Sequence, residues 1–343
     1  MNENLRIQPA TSHLIVAQAP VIESSVCDRI IAEVTTLLAE PVSITQTAEP
    51  TEHYPLTVIE IGLDLAQAGL PEPESQVRER AEARLRELTE ELHVDLALVP
   101  AGLDRVARKL LIMDCDSTLI QAEVIDELAA FAGRGEEVAA ITEAAMRGEL
   151  DFAGSLRKRV ATLEGLSDEI FRQVADSIRF TDGALNLIAT FNRLGWPSGV
   201  VSGGFVQVVD TLQERAGITY SLANTLEVVD GTLTGRVIGE IIDKTVKERF
   251  LREIVARENI PLEHVIAVGD GANDSLMTQA AGLGVAFMAK PALKAVTDTS
   301  LNFSRLDAIL PLAGPIAGVA ATPAANGPIA GVAAGPTADA LTR

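Results

Sequence analysis

The sequence is short of basic residues and of cysteine. Its 343 residues include 28 Lys and Arg against 48 Asp and Glu, which gives a formal net charge of −20 at pH 7. A polyanion such as a nucleic acid is therefore an unfavourable partner, and an anionic ligand needs local positive charge in its pocket. The two cysteines, Cys27 and Cys115, do not make a disulfide framework. We expect Cys115 to be a free thiol packed in the core.

Long apolar runs are also missing. No segment reaches the roughly 20 apolar residues that a membrane-spanning helix needs. Residues 1–13, MNENLRIQPATSH, contain no basic stretch followed by an apolar core, so they do not resemble a secretory signal. We therefore expect a cytoplasmic protein of bacterial type without a membrane partner. The length allows two domains and a sizeable core.

Two acidic clusters each follow a short apolar run. DCDSTL at 114–119 follows LLIM at 110–113, and GDGAND at 269–274 follows VIAV at 265–268. Open α/β sheets bind ligands at the carboxyl ends of their strands, so the two clusters are expected to share one pocket. There, one carboxylate can attack as a nucleophile while another exchanges a proton. The alternative is that the first cluster is only a turn, because Asp and Ser favour turns and helix caps.

Two further signals favour a catalytic site. Ser202, Gly203 and Gly204 follow an apolar segment, and Lys247 opens a helical pattern before the second acidic cluster. All four histidines lie outside these clusters, so phosphohistidine chemistry has no candidate residue. Together the four signals indicate magnesium-dependent phosphoryl transfer with an aspartate nucleophile, because Mg²⁺ prefers hard oxygen ligands.

This order of motifs resembles the haloacid dehalogenase superfamily, and 114–291 is similar to its phosphoserine phosphatases. The resemblance implies Mg²⁺-dependent hydrolysis of O-phospho-L-serine to L-serine and phosphate through an aspartyl-phosphate, the last step of serine biosynthesis. The alternatives are another small-metabolite phosphatase or phosphomutase of the superfamily, or an amino-acid-binding regulatory protein. The similar segments are MDCDSTLIQAEVIDELA, ITEAAMRGELDFAGSLRKRVATL, VVSGGF, LTGRVIGEIID and VIAVGDGANDSLMTQAAGLGVAFMAKP.

The resemblance implies roles for the acidic residues. Asp114 is the expected nucleophile and Asp116 the general acid and base. Asp114, the main-chain carbonyl of Asp116, and Asp270 are expected to hold Mg²⁺. Asp274 is expected to support the site from outside the metal's ligands or to position Lys247.

Substrate contacts are implied in the same way. Ser202, the amide of Gly203, Lys247 and Asn273 are expected to bind the phosphoryl group. Lys244 competes with Lys247 for this role, because residues three apart share a helix face.

A helical insertion is expected to select the substrate. By resemblance, Glu123 faces the substrate ammonium, and Arg159 holds the carboxylate through two parallel hydrogen bonds. Met146 and Phe152 would close the apolar side. Spacing alone would make Glu123 and Arg159 ordinary solvated residues.

The chain is predicted to have two folded domains and a tail. Residues 1–105, with predicted strands at 13–18, 42–46, 56–63 and 94–99 and helices at 22–38 and 74–92, form a ferredoxin-like, ACT-like α+β domain for regulation or homodimerisation. Residues 106–312 form a Rossmann-like α/β core with a parallel sheet, a helical cap at about 120–180, and a hairpin turning at Asp230-Gly231. Residues 313–343, in which GPIAGVAA occurs twice, are predicted to be a disordered tail.

Overall fold

The computed structural model describes most of the chain between residues 13 and 314. The predicted disordered tail lies outside the described residues from 315 onward. Among the helices that are described, none combines the length and apolar character needed to cross a lipid bilayer. The described ranges are 13–48, 55–65, 73–100, 103, 107–302 and 305–314.

The N-terminal part is an antiparallel sheet whose spatial order is β2-β3-β1-β4. Two helices cover one face, where Val34 and Leu85 join Ile15 in a buried cluster. This arrangement confirms the predicted ferredoxin-like α+β order. The elements are β1 His13–Ala19, α1 Ser24–Leu37, β2 Ser43–Ala48, β3 Thr57–Leu63, α2 Glu74–Leu92 and β4 Asp95–Val99.

The other face of this sheet packs on the C-terminal end of the second domain. Side chains alternate across a strand, so β1 turns Ile15 towards the helices and Val16 towards the second domain. Gln18 lies on the same side as Val16, and its Nε2 donates to the carbonyl of Ala308 at 2.8 Å. The two domains therefore share a continuous apolar core.

The second domain is built on a sheet of order β11-β10-β9-β5-β6-β7-β8, which is parallel except for β8. The central strand β5 is apolar throughout and buried on both faces, as expected for a parallel sheet covered by helices. The predicted Rossmann-like α/β core is confirmed. The strands are β5 Leu110–Met113, β6 Ser198–Phe205, β7 Tyr220–Val229, β8 Thr232–Ile238, β9 Val265–Gly269, β10 Leu283–Phe287 and β11 Thr299–Leu301.

The predicted hairpin also forms. Strands β7 and β8 pair on either side of Asp230 and Gly231, whose φ values of 49° and 75° suit a tight two-residue turn. The edge strand β11 was not predicted.

Helices fill the predicted insertion between β5 and β6. The division into domains at 105 and 312, with a cap at about 120–180, stays a prediction. The helices of this domain are α3 Val124–Phe131, α4 Gly135–Met146, α5 Phe152–Ala161, α6 Glu169–Ser177, α7 Ala184–Arg193, α8 Val206–Ala216, α9 Lys244–Glu258, α10 Ser275–Ala280, α11 Pro291–Lys294 and α12 Leu310–Ala313.

Candidate active site

Three adjacent strands carry polar side chains to one edge of the sheet. Asp114 follows β5, Asp270 follows β9, and Ser202 lies in the irregular end of β6. The main-chain N–H of Asp114 donates to the carbonyl of Val268 at 2.9 Å, so the first cluster continues the β5–β9 pairing. The two predicted acidic clusters therefore meet, as the sheet argument requires.

A buried lysine joins the two clusters. Lys247 Nζ lies 2.8 Å from Asp114 Oδ2 and 2.7 Å from Asp274 Oδ1. The other oxygen of Asp274 accepts the main-chain N–H groups of Asp270 and Gly271 at 3.2 and 3.1 Å. Both oxygens of Asp274 are thus engaged in holding the lysine and the loop. This is the positioning role expected for Asp274.

Helix α9 places Lys247 rather than Lys244 in the pocket. Asp243 caps the helix by accepting the N–H groups of Thr245 and Val246, which leaves Lys244 exposed in the first turn. Lys247 comes nearly one turn later and is wholly buried. Burial opposes its charge, but the carboxylates of Asp114 and Asp274 raise the pKa of Lys247 above its ordinary value.

The pocket contains more negative charge than Lys247 can balance. Burial and then the nearby Asp274 raise the pKa of the Asp114 carboxyl well above its ordinary range. Burial likewise raises the pKa of Asp270. Carboxylate oxygens of Asp114, Asp270 and Asp274 lie within 4.8 Å of one another. Crowded hard oxygen ligands of this kind fit a divalent cation.

Asp116 is held between the start of α3 and β6. Its Oδ1 accepts the N–H of Val124 at 2.8 Å, and its Oδ2 accepts the hydroxyl of Ser202 at 2.9 Å. Burial and then the charge of Glu123 raise the pKa of Asp116 to about 6. A carboxyl group with such a pKa carries a proton in a useful fraction of molecules near neutrality, which suits a general acid.

In metal-free protein, Asp116→Asn is expected to raise the melting temperature more at pH 7 than at pH 4.5. The ordinary value of an aspartate is 3.8, and the folded protein holds Asp116 at about 6. Because the folded state binds the proton more tightly, wild-type stability falls as pH rises from about 4 to 6. The variant lacks this titration, so thermal melts at several pH values should show a widening gap. A gap that is constant with pH would contradict the raised pKa.

No role was assigned to Ser117 from the sequence. Its φ of 55° lies in the left-handed region, which a non-glycine residue seldom adopts. This conformation lets Ser117 Oγ donate to Glu123 Oε1 at 2.8 Å. Glu123 is exposed, yet it lies close enough to raise the pKa of both Asp116 and Asp270. The structure therefore brings Glu123 to the same site as the acidic clusters.

Helix α5, which lies in the predicted cap, carries Phe152 and Arg159. Asp151 caps this helix by accepting the N–H of Gly154 at 2.7 Å. A Cβ added at Gly203 would lie 3.6 Å from Phe152 Cζ, so the first turn of α5 adjoins the Ser-Gly-Gly segment. Arg159 follows Phe152 by two helical turns, and its buried Nε has no hydrogen-bond partner among the described residues. An unpartnered buried guanidinium nitrogen is suited to an anionic ligand.

Two predicted substrate-contact residues remain, Asn273 and Met146. Asn273 Nδ2 donates to Asp114 Oδ2 at 3.2 Å, so it lies at the nucleophile. Met146 ends α4, and its side chain lies outside what the structure describes. Cys115 is a buried free thiol, as predicted.

Lys290 was not predicted to belong to the site. Its Nζ lies 3.5 Å from Asp270 Oδ2, and its main-chain N–H donates to the carbonyl of Asp270 at 2.8 Å. The only sequence signal was its place at the end of the last similar segment, where it had no role.

Residues 108–282, just over half of the chain, match the family model described as haloacid dehalogenase-like hydrolase. The chain belongs to this family of hydrolases. It is 55% identical over 223 residues to a phosphoserine phosphatase of Streptomyces coelicolor, covering 65% of this chain and 54% of that one. It is 44% identical over 251 residues to a phosphoserine phosphatase of Archaeoglobus fulgidus, covering 73% and 71%.

A solved relative has the same haloacid dehalogenase-like core. The phosphoserine phosphatase solved as a phospho-aspartyl intermediate analogue superposes with a TM-score of 0.56 and 45% identity, covering 60% of this chain and 98% of that one. The predicted resemblance to phosphoserine phosphatases is thus confirmed. The chain spans only about half the length of the Streptomyces relative.

Proposed function

We propose that this protein hydrolyses O-phospho-L-serine to L-serine and inorganic phosphate. The observation that carries the proposal is the buried pair of Asp114 and Lys247, with Asp116 nearby. It supplies a nucleophile, a fixed positive charge and a proton donor at one strand end. The names of the similar proteins support phosphoserine as the substrate.

In the first half-reaction, a carboxylate oxygen of Asp114 attacks phosphorus and the bond from phosphorus to the serine oxygen breaks. The electron pair stays on the serine oxygen, which takes the proton of Asp116. Lys247 balances the charge of the phosphoryl oxygens, and the Ser202 hydroxyl and the Gly203 amide donate hydrogen bonds to them. The products are serine and a phosphorylated Asp114.

In the second half-reaction, Asp116 is a carboxylate and takes a proton from water. The water oxygen attacks phosphorus, and the bond to Asp114 breaks. Phosphate leaves, Asp114 is again a carboxylate, and Asp116 is again protonated, so the cycle closes. The relative solved as a phospho-aspartyl intermediate analogue supports this route for the present chain.

Magnesium is the metal that we propose for the carboxylate cluster. Asp114, Asp270 and the main-chain carbonyl of Asp116 would hold it, in keeping with its preference for oxygen ligands. Bound there, it would offset the negative charge of the phosphoryl group. The raised pKa values of Asp114 and Asp270 support a site that is built to receive a cation.

We propose that the predicted cap selects phosphoserine over other phosphate esters. Glu123 is proposed to face the substrate ammonium, and Arg159 is proposed to hold its carboxylate. Phe152 and Met146 would close the apolar side. The exposed Glu123 carboxylate and the unpartnered Nε of Arg159 support this assignment.

A substrate panel tests the proposal. Phosphate release should be fastest, in kcat/KM, from phosphoserine, slower from phosphothreonine and slowest from an aryl phosphate. Chelation of divalent metal should abolish it, and Mg²⁺ should restore it. Equal rates for all three esters would favour a general phosphatase, and transfer of phosphate to a second metabolite would favour a mutase. Binding of phosphoserine without turnover would favour a regulatory protein.

The wider setting is also a proposal. We place the reaction at the end of serine biosynthesis, in the cytoplasm.

We also propose a homodimer formed through the N-terminal domain, residues 1–105. In the described part of the chain, β2 is the outer strand of the N-terminal sheet. Val42, just before β2, and Ile44 within it are 42% and 48% exposed, which favours self-association. Sedimentation equilibrium of the full chain should therefore give twice the chain mass, and a monomer would rule out the dimer.

A further inference from the structure

One face of α2 presents a row of charges to the catalytic domain. Its members lie four positions apart and so share a face of the helix. Three of its four members contact residues 294–298, which begin at the last residue of α11. The row consists of Arg78, Glu82, Arg86 and Glu90.

The shortest of these contacts is an ion pair at the start of the row. Arg78 reaches Asp298 Oδ1 at 2.7 Å while its Nε is held by Glu82 at 2.6 Å. The other oxygen of Asp298 accepts the N–H of Gly284 at 2.7 Å. Asp298 therefore ties the N-terminal helix to the neighbouring strand β10.

Two more contacts fix the same segment. Arg86 donates to the carbonyl of Thr297 at 3.2 Å, and Lys294 pairs with Glu90 at 3.2 Å. Lys294 is the last residue of α11, so this short helix touches the N-terminal domain at its C-terminal end.

The other end of α11 touches the active site. The carbonyl of Lys290 accepts the N–H groups of Leu293 and Lys294, which makes Lys290 the first residue of the turn. The N–H of Lys290 in turn holds the carbonyl of Asp270 at 2.8 Å. One helical turn, about 6 Å long, thus separates a proposed metal ligand from the N-terminal domain.

We infer that the N-terminal domain positions Asp270 through the segment 290–298, with Lys290 as the positioning residue at its active-site end. This inference rests on the proposed function only in taking Asp270 as a metal ligand. Packed elements with fixed contacts at both ends carry such coupling without touching substrate. The catalytic domain would then reach its full metal affinity only with α2 docked.

The test at the α2 end is Mg²⁺ affinity, measured by calorimetry on the substrate-free full chain. The double variant R78Q/R86Q is expected to weaken Mg²⁺ binding by about threefold to tenfold. The matched control is R84Q on the same helix. Arg84 pairs with Glu33, Glu87 and Glu91, so its loss breaks three ion pairs inside the N-terminal domain and none with 290–298.

The result that overturns the inference is Mg²⁺ affinity in R78Q/R86Q that equals wild type, or that falls equally in R84Q. The second outcome would mean general loosening of the N-terminal domain. Melting temperatures of both variants show how far each is destabilised. Wild-type chain that binds no Mg²⁺ at all would instead contradict the metal site in the proposed function.

A second pair of variants tests the active-site end and does not depend on the stability of α2. Lys290 has φ −65°, which proline adopts without strain. K290P removes both the side chain and the N–H that holds Asp270, whereas K290A removes the side chain alone. K290P is expected to bind Mg²⁺ at least threefold more weakly than K290A. Equal affinities would remove Lys290 from this role.

Discussion

Asp114→Asn is expected to lower kcat for phosphoserine by about four orders of magnitude or more. The amide keeps the shape of the side chain, but its oxygen is a far weaker nucleophile than a carboxylate and cannot form the acyl-phosphate. Asn273 and Lys247 can still donate to that oxygen, whereas the Cys115 N–H that donates to Asp114 Oδ1 at 2.7 Å would face the amide nitrogen. Phosphate release under single-turnover and steady-state conditions measures the loss.

The location of the phosphoryl group provides the decisive control. Wild-type protein quenched during turnover, or treated with beryllofluoride, should carry the adduct on Asp114 by mass spectrometry. The Asn variant should carry none. An adduct on another residue would show that the assignment of the nucleophile is wrong.

Arg159→Ala is expected to reduce kcat/KM for phosphoserine by about 30- to 1000-fold, or about 2–4 kcal/mol. The substrate carboxylate would enter a closed pocket without its partner, and an unpaired buried charge is costly. An aryl phosphate has no such carboxylate and should lose much less. Arg159→Lys should recover only part of the loss, because an ammonium cannot form two parallel hydrogen bonds.

The matched control for Arg159 is Arg157 on the same helix. Arg157 lies two residues earlier, is exposed to solvent, and therefore faces another direction. Arg157→Ala should leave the kinetics of both substrates unchanged. If Arg159→Ala lowers the rates of phosphoserine and aryl phosphate equally, the arginine acts on the cap as a whole and not on the carboxylate.

The sheet could be predicted because burial on both faces leaves a plain signal. The continuous apolar runs at 110–113 and 265–268 became β5 and β9, and the polar residues directly after them met in space. Strand β11 gave no such signal, because three residues, Thr299–Leu301, are too few to show a pattern. Its place is set by pairing with β10, a contact that local sequence does not encode.

Individual candidate residues could be named from the sequence, but the contacts between them could not. Lys244 and Lys247 are three residues apart in a helical pattern, so the sequence allows either to enter the pocket. Because α9 starts at Lys244, that side chain lies exposed in the first turn, whereas Lys247 is buried. The left-handed backbone conformation of Ser117 and the contact of Lys290 with Asp270 could not be predicted, for a similar reason. Both depend on where the chain folds back, which residue type alone does not reveal.

The hydroxyl of Ser202 has a single proton to give. In the structure that proton points to Asp116 Oδ2, and the hydrogen bond lowers the pKa of Asp116 against the effect of burial. A phosphoryl oxygen that takes the same proton deprives Asp116 of this donor, and its carboxyl then holds a proton more tightly. Binding of the phosphoryl group would therefore favour protonation of Asp116, which then has the proton that the leaving serine oxygen takes. Occupancy of the pocket, rather than bulk pH alone, would set the timing of protonation.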